Sequence, residues 1–279
     1  MSNLTEERGG FESLGLSYPP VLNIKIETVV IGDVVCHWFI PGNTIATETV
    51  IYFHGGGFIY GSLQSHRAMV SHITQAIGRK ILFIEYVLAP EHPFPAALHE
   101  AIAVIRELTA DLDFRFGLMG DSAGGNLAIS TALQLKTIGL PLPLYQVVIS
   151  PWVNMETTYS SYSQNEKLDP IISRDFVRYA ASLYAAGQSL KDPRMSPVHG
   201  DLGGLEPTLV LVGSTEVLRD DSLHLHTALQ NAGSSAVLKI FDKANHVWTL
   251  TDIASTDSQH ALTEISMFLN MATLKKRVY

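Results

Sequence analysis

Charged side chains are scarce in this chain of 279 residues, in which Asp, Glu, Lys and Arg together make up 16% of the sequence. Hydrophobic residues make up 46%, a composition that predicts a packed globular protein and excludes a disordered chain. The few charges sum to a formal net charge of −8. Because phosphate binding requires clustered Lys and Arg, this balance argues against a nucleic-acid partner.

Cysteine and long apolar runs are also missing. The single cysteine, Cys36, has no partner for an internal disulfide or for a zinc–thiolate cluster. No His-Glu-x-x-His motif occurs, and we expect neither a metal nor an organic cofactor. No apolar run reaches the ~20 residues of a membrane span, and residues 1–10 lack a signal-sequence pattern. We therefore expect a cytoplasmic protein.

Short apolar runs alternate with segments of helical spacing along most of the chain. Two strands joined at Gly32-Asp33 predict a hairpin over residues 24–40. Further strands and helices then alternate, ending with a helix of about fifteen residues near 256–270. This rhythm predicts an α/β fold with a mostly parallel sheet and helices on both faces. Only residues 151–200 interrupt it, and a helical insertion there is well placed to cover a site.

The pentapeptide Gly120-Asp121-Ser122-Ala123-Gly124 lies between a predicted strand and a predicted helix. A serine with glycines at both second neighbours is typical of the nucleophile elbow, a sharp turn that exposes the hydroxyl. The backbone N–H groups near Ala123, at the start of the helix, are available to stabilise an oxyanion. We take Ser122 as the candidate nucleophile.

Three consecutive glycines follow another predicted strand, in His54-Gly55-Gly56-Gly57-Phe58. Without side chains, their N–H groups are accessible, as the donors of an oxyanion hole must be. A phosphate-binding loop is the alternative, but no Gly-Lys-Ser/Thr follows. We expect His54 to brace this loop by hydrogen bonds rather than to act as the catalytic base.

A serine nucleophile requires a base and an orienting acid, which follow it along this type of chain in the order Ser, Asp or Glu, His. Glu216 comes just after a predicted strand, and His246 comes just after the last one. Both are therefore expected at the sheet edge that carries Ser122. Asp220, Asp221 and Asp242 compete with Glu216 for the role of the acid.

These segments together resemble the hormone-sensitive-lipase-like family of α/β-hydrolases, in particular its bacterial esterases. The resemblance covers nearly the whole chain from about Val50. The matching segments are His54 to Phe58, Tyr86 to Pro95, Gly120 to Gly125, Ser150-Pro151-Trp152, Asp192 to Pro197, Glu216 to Asp221, and His246.

The resemblance implies a single α/β-hydrolase domain over 1–279, with a sheet of about eight strands. It also implies a small cap built from about residues 1–20 and the insertion 151–200. The oxyanion donors would be the N–H groups of Gly56, Gly57 and Ala123. Two positions depart from the family pattern: Glu216 replaces the usual aspartate, and Val87 replaces an arginine.

The implied activity is carboxylester hydrolysis through an acyl-enzyme on Ser122, with short- to medium-chain acyl esters as substrates. Lactones or acetylated small molecules are alternative substrates, and amide hydrolysis or a non-catalytic ligand receptor on the same fold is less favoured. A homodimer is a further expectation from the family. Five residues that flank the catalytic positions are expected to line the substrate pocket: Phe58, Trp152, Leu218, Val247 and Trp248.

Overall fold

Runs of four to six apolar residues form the centre of one sheet in the computed structural model, which describes residues 4–276. Every residue of the central strands Thr49–Phe53, Phe116–Asp121 and Thr208–Gly213 is buried. Such strands read as continuous hydrophobic runs because helices cover both faces. The eight strands are β1 (Ile24–Ile31), β2 (Val34–Pro41), β3 (Thr49–Phe53), β4 (Ile81–Ile84), β5 (Phe116–Asp121), β6 (Gln146–Ile149), β7 (Thr208–Gly213) and β8 (Ala236–Phe241).

The strands follow the spatial order β1-β2-β4-β3-β5-β6-β7-β8. Strand β2 runs antiparallel to β1 and β4, and all other neighbours are parallel. The predicted hairpin turns at Gly32 and Asp33, both at positive φ. The predicted eight-stranded, mostly parallel sheet is therefore confirmed.

Helices cover the sheet on both faces. The α-helices are α1 (Leu4–Glu12), α2 (Leu63–Ile77), α3 (Ala96–Leu108), α4 (Ala123–Ile138), α5 (Ser161–Gln164), α6 (Arg174–Ala185), α7 (Arg219–Asn231), α8 (Trp248–Thr251) and α9 (Thr256–Lys276). One buried cluster joins the sheet to α3, α4 and α7, and a second joins it to α2 and α9. Short 3₁₀ turns occupy Ser13–Leu16 and Pro197–His199.

Local sequence explains where helix α2 begins and ends. The side chain of Ser62 accepts the Gln64 N–H in a capping box before α2, and Gly78 ends that helix in the left-handed region. The last helix differs from its prediction, since it runs for 21 residues rather than about fifteen. Residues 266–279 contain neither Gly nor Pro, the residues that most often mark the end of a helix. Over residues 4–276, no helix has both the length and the hydropathy to cross a membrane.

Candidate active site

Four parallel strands deliver the predicted site residues to one edge of the sheet. The glycine run follows β3, Ser122 follows β5, Glu216 lies three residues past β7, and His246 lies five residues past β8. Because these strands are parallel, their carboxyl ends share an edge, which is where α/β folds form their sites. Residues remote in the sequence are thereby brought into contact.

Ser122 has a strained backbone, with φ 51° and ψ −118°. Its N–H donates to the carbonyl of Ile149 at 2.9 Å, which holds the turn against the next strand. A Cβ at Gly120 would overlap the carbonyl of Gly124, and one at Gly124 would overlap the carbonyl of Phe53. The glycines of the pentapeptide are therefore required by close backbone approach, as the elbow pattern predicts.

His246 lies between the serine and a carboxylate. Its Nε2 atom is 2.9 Å from Ser122 Oγ, and its Nδ1 atom is 2.8 Å from Glu216 Oε2. With Nδ1 protonated and donating to Glu216, Nε2 is left to accept the serine proton. The two contacts place a hydroxyl, an imidazole and a carboxylate in the order that a serine nucleophile, its base and an orienting acid require.

Glu216 is held rigidly by its second oxygen. Its Oε1 atom accepts the hydroxyl of Ser150 at 2.8 Å and a short hydrogen bond from the N–H of Gly213. Ser150 Oγ also accepts the N–H of Val247 at 3.2 Å. Ser150 thus ties the acid to the segment that carries His246, a role that the motif Ser150-Pro151-Trp152 did not disclose by itself.

The competing acids have other partners. Asp220 Oδ2 accepts the hydroxyl of Ser160 at 2.7 Å, and Asp221 Oδ1 accepts the N–H of Val153 at 3.0 Å. Asp242 Oδ1 lies 3.3 Å from the hydroxyl of Ser214. Of the four candidate acids, only Glu216 contacts His246 within the described residues.

Burial and charge shift the two titrating groups of the site. Burial raises the pKa of Glu216, and the hydrogen bonds from His246, Gly213 and Ser150 limit that rise. Burial alone would lower the pKa of His246, but its hydrogen bond to Glu216 and the charge of that carboxylate outweigh burial, so the pKa is raised. The site therefore favours an imidazole that gains a proton readily, as a general base must.

The glycine run borders the same cavity as Ser122, with Gly56 and Gly57 in its lining. Gly56 and Gly57 adopt φ values of 115° and 66°, which L residues rarely adopt. The N–H groups of Gly56, Gly57 and Ala123 have no acceptor within residues 4–276. The preceding Gly55 N–H donates to Asp121 Oδ1 at 3.1 Å, which fastens the run to the elbow. Three unpaired donors thus border Ser122, as an oxyanion hole requires.

His54 lies behind this loop and does not contact the serine. Its ring stacks on Tyr86 at a centroid distance of 4.2 Å, and Nδ1 is 2.7 Å from the carbonyl of Gly55. Burial, with the nearby His66, lowers the pKa of His54 to about 3, so this ring is neutral. The hydroxyl of Tyr86 donates to the His54 carbonyl at 2.7 Å.

An apolar cavity of about 300 Å³ opens above Ser122 and His246. Gly56, Gly57 and Val247 lie at its floor. Its other walls come from two segments, one near the N-terminus and one within the insertion 151–200, together with the loop after β3 and helix α8. The wall residues are Phe11, Leu14, Tyr60, Pro170, Ile171, Ile172, Phe176, Leu250 and Thr251.

The predicted pocket lining is wrong at four of its five positions. Val247 lines the cavity, but Phe58, Trp152, Leu218 and Trp248 are buried in the core outside it. Phe58 stacks on Tyr184 at 3.8 Å. Trp152 in turn packs against Phe58, with ring centroids 6.4 Å apart, so both rings are part of the core.

No sequence pattern predicted the residues that form most of the cavity lining. Phe11 and Leu14 lie in the expected cap segment, but nothing in their spacing distinguished them. Among residues 4–276, no group of three or more His, Cys, Asp or Glu side chains is arranged to hold a metal ion.

Known proteins share this architecture. A family model described as the alpha/beta hydrolase fold matches residues 50–250. An acetyl-hydrolase of Streptomyces hygroscopicus is 35% identical over 249 residues, covering 88% of this chain and 83% of the relative. An esterase of Acinetobacter venetianus is 31% identical over 232 residues, covering 82% of this chain and 77% of the relative. The crystal structure of an esterase from the bacterial hormone-sensitive lipase family is 36% identical, with a TM-score of 0.94, over 98% of this chain and 92% of the other.

Proposed function

The chain belongs to the α/β-hydrolase family, among the bacterial hormone-sensitive-lipase-like esterases, and is a carboxylic ester hydrolase; from that premise we propose that it cleaves short- to medium-chain acyl esters. One observation carries the proposal. His246 lies within hydrogen-bonding distance of both the Ser122 hydroxyl, at 2.9 Å, and the Glu216 carboxylate, at 2.8 Å. This arrangement supplies an activated nucleophile without a cofactor.

The reaction proceeds in two acyl-transfer steps. Ser122 Oγ attacks the ester carbonyl while His246 Nε2 takes its proton, and Glu216 stabilises the resulting imidazolium. His246 then protonates the leaving alcohol, which leaves an acyl group on Ser122. Water, deprotonated by the same imidazole, attacks this acyl-enzyme and releases the acid.

The negative charge of each tetrahedral intermediate forms on the former carbonyl oxygen. The N–H groups of Gly56, Gly57 and Ala123 donate to that oxygen in the proposed mechanism. Their lack of other acceptors within the described chain supports this role. Donors fixed before the reaction stabilise the transition state without reorganisation, and removal of one such donor typically costs about 2.7–4 kcal/mol.

The substrate range follows from the walls of the cavity. We assign residues 1–20 and the insertion 151–200 to a cap on a single domain over 1–279; residues 1–3 lie outside the described chain. Phe11 and Leu14 support the first part of the cap, and Ile172 and Phe176 support the second. A cavity of about 300 Å³ with these apolar walls suits an acyl chain of a few carbons better than a long one.

Acetyl esters of small molecules are a second candidate substrate class. The similarity to an acetyl-hydrolase favours them. A series of p-nitrophenyl esters from acetate to laurate discriminates the two classes. A maximum of kcat/KM at butyrate or hexanoate supports short- to medium-chain acyl esters as substrates, and a maximum at acetate supports acetyl esters. A maximum at laurate contradicts both substrate classes.

Assembly and location remain predictions. Strand β8 ends the sheet, and its Val237 and Ile240 side chains are exposed, which suits pairing with a second copy in a homodimer. Light scattering distinguishes a dimer of about 61 kDa from a monomer of 30.5 kDa. Cell fractionation tests the cytoplasmic location expected from the sequence.

The decisive test of the function compares the wild-type chain with Ser122→Ala. We expect the variant to keep its unfolding temperature and to lose p-nitrophenyl butyrate hydrolysis and labelling by a fluorophosphonate probe. Full activity in Ser122→Ala would refute the nucleophile. A wild-type chain that neither hydrolyses esters nor takes the probe would instead be a ligand receptor.

A further inference from the structure

Helix α1 is attached to the molecule through polar side chains as well as through Leu4 and Phe11, which pack against the core. None of its residues from Leu4 to Glu12 is buried, although Phe11 reaches the cavity. Its polar contacts all converge on the segment 59–62 and the loop near Ala89. This segment begins two residues after Gly57, so α1 contacts the chain that directly continues the proposed oxyanion hole.

Arg8 makes the most extensive of these contacts. Its Nε donates to the carbonyl of Ile59 at 2.8 Å, and Nη2 donates to the carbonyl of Ala89 at 3.0 Å. Nη1 and Nη2 also bind the two oxygens of Glu91, at 2.9 and 2.7 Å. Only a guanidinium has the planar set of donors to reach two carbonyls and a carboxylate together.

Two glutamates extend the attachment on the same side. Glu7 Oε2 accepts the hydroxyl of Tyr60 at 2.6 Å, and Glu12 Oε2 accepts the hydroxyl of Ser62 at 2.7 Å. Phe11 adds a tilted ring contact to Tyr60 at 5.7 Å. Ile59, Tyr60 and Ser62 are therefore each held by a side chain of α1.

The glycine turn itself needs such support. Gly56, Gly57 and Phe58 all have positive φ, a run that the backbone does not favour, least of all at Phe58. The Gly56 carbonyl accepts the N–H groups of Ile59 and Tyr60 at 3.1 and 2.9 Å. Because these bonds close the turn onto residues 59 and 60, displacement of Ile59 or Tyr60 displaces the N–H groups of Gly56 and Gly57.

We propose that Arg8 and Glu7 are positioning residues for ester hydrolysis, which set the oxyanion donors of Gly56 and Gly57 by holding Ile59 and Tyr60. The proposal rests on the proposed function, because it requires those donors to act in the transition state. Neither side chain is among the residues that line the cavity. Their removal lowers transition-state stabilisation while substrate binding in the ground state is retained.

The first experiment compares Arg8→Met with Arg106→Met, a matched change at an exposed arginine on α3. We expect Arg8→Met to lower kcat for p-nitrophenyl butyrate about 10- to 100-fold, as small misplacements of catalytic groups do, with KM nearly unchanged. Arg106→Met should match the wild type. Arg8→Lys keeps a charge beside Glu91 but cannot bridge both carbonyls, so it should recover only part of the loss.

A transition-state analogue separates positioning from a merely structural role. A butyl trifluoromethyl ketone forms an oxyanion on Ser122, so its inhibition constant should rise by the same factor by which kcat falls. Active sites are first counted by complete fluorophosphonate titration. If the titrated sites of Arg8→Met show wild-type kcat and inhibition constant, the proposal is wrong.

A second set of variants decides the matter if Arg8→Met does not fold. Glu7→Ala is compared with Glu6→Ala, whose side chain is exposed beside it, and with Tyr60→Phe. Glu7→Ala and Tyr60→Phe should each lower kcat several-fold, and the double variant should lose no more than either alone, because they share one hydrogen bond. Equal kcat in Glu7→Ala and Glu6→Ala contradicts the proposal.

The controls keep the two proposals distinguishable. An active Ser122→Ala chain overturns the proposed function, whatever Arg8 does. An inactive Ser122→Ala chain beside an unimpaired Arg8→Met chain overturns only the positioning role.

Discussion

The floor of the cavity includes Ser122, His246 and the glycine turn, with Glu216 buried behind His246, and is built into the edge of the sheet, whereas its roof is carried by α1 and residues 170–176. Glu216 is fully buried, and Ser122 and His246 are at most 8% exposed. In the roof, α1 has no buried residue from Leu4 to Glu12, and Ile171 is 43% exposed. The chemistry therefore has a rigid base, while the walls that meet the acyl chain lie in the less buried part.

This contrast assigns separate tasks to the two regions. Floor residues are joined by short hydrogen bonds that leave little room for adjustment, so changes there should alter kcat. The apolar roof residues that line the cavity contribute contact surface, so changes there should alter which substrate is preferred. The polar Arg8 and Glu7 of α1 are different, because they hold Ile59 and Tyr60 beside the glycine turn of the floor. A substitution that changes kcat without changing substrate preference, or the reverse, would show that the two regions act separately.

The largest effect is expected at the acid. Glu216→Gln should lower kcat/KM about 10³- to 10⁴-fold, since its amide donates to His246 Nδ1 and so fixes the tautomer that cannot accept the serine proton. Asp220→Asn, which replaces a competing acid bound to Ser160 and Arg219, should stay within a few-fold of the wild type. Steady-state kinetics on p-nitrophenyl butyrate measures both. Severe loss in Asp220→Asn alone would transfer the role to that residue.

The glycine turn should show the next largest effect. Gly57 and Gly139 have similar φ values, 66° and 69°, but a Cβ at Gly57 would lie 3.2 Å from Ala180 Cβ, whereas one at Gly139 would meet open space. Alanine at either position should cost about 1 kcal/mol of stability from backbone strain. Only Gly57→Ala should also lower kcat, by about 10²-fold. Equal kcat in the two variants would contradict the role of the turn.

The pH profile follows from the raised pKa of His246. Only the neutral imidazole accepts the serine proton, so kcat/KM should fall about tenfold per pH unit below the pKa of His246. Because that pKa is raised, the decline should begin above the ordinary histidine pKa of about 6.5. The contribution of His246 to the free energy of unfolding depends on pH in the opposite direction. It is fully present below the ordinary histidine pKa and is lost as the pH rises through the raised pKa. A profile that rises with decreasing pH would refute His246 as the base.

The smallest effect is expected in the roof. Phe176→Ala enlarges the cavity and should raise the ratio of kcat/KM for octanoate to that for acetate several-fold, with kcat on acetate nearly unchanged. Leu183→Ala on the same helix, outside the lining, serves as the control. A large loss of kcat on acetate in Phe176→Ala would mean that roof and floor are coupled.

The sequence predicted the two regions unequally for a physical reason. Ser122, Glu216 and His246 each lie within five residues of the end of a strand, so the pattern that predicts the strand also places the residue at the sheet edge. The glycine run was recognisable because close approach and positive φ exclude other residues there. Within the floor, the contacts of Ser150 were missed, because a hydroxyl carries no sequence signal of its partner.

The roof is set by tertiary contacts between distant segments. Phe11 and Ile172 line one cavity only because α1 and the insertion fold over the same edge, and neither has a distinctive pattern. Trp152 and Phe58 were expected in the pocket by their nearness in sequence to the site, yet both lie in the core. Phe58 stacks on Tyr184 and contacts Trp152, and nearness in sequence to the site does not reveal these ring contacts.

Mass spectrometry of the acyl-enzyme tests the central claim most directly. The protein is mixed with excess p-nitrophenyl butyrate, quenched in acid within milliseconds, and digested. We predict a butyryl group on Ser122, found in wild type and absent from Ser122→Ala. The account would be contradicted if the acyl group were found on another residue during turnover. It would also be contradicted if a burst experiment sensitive enough to detect a covalent intermediate found none.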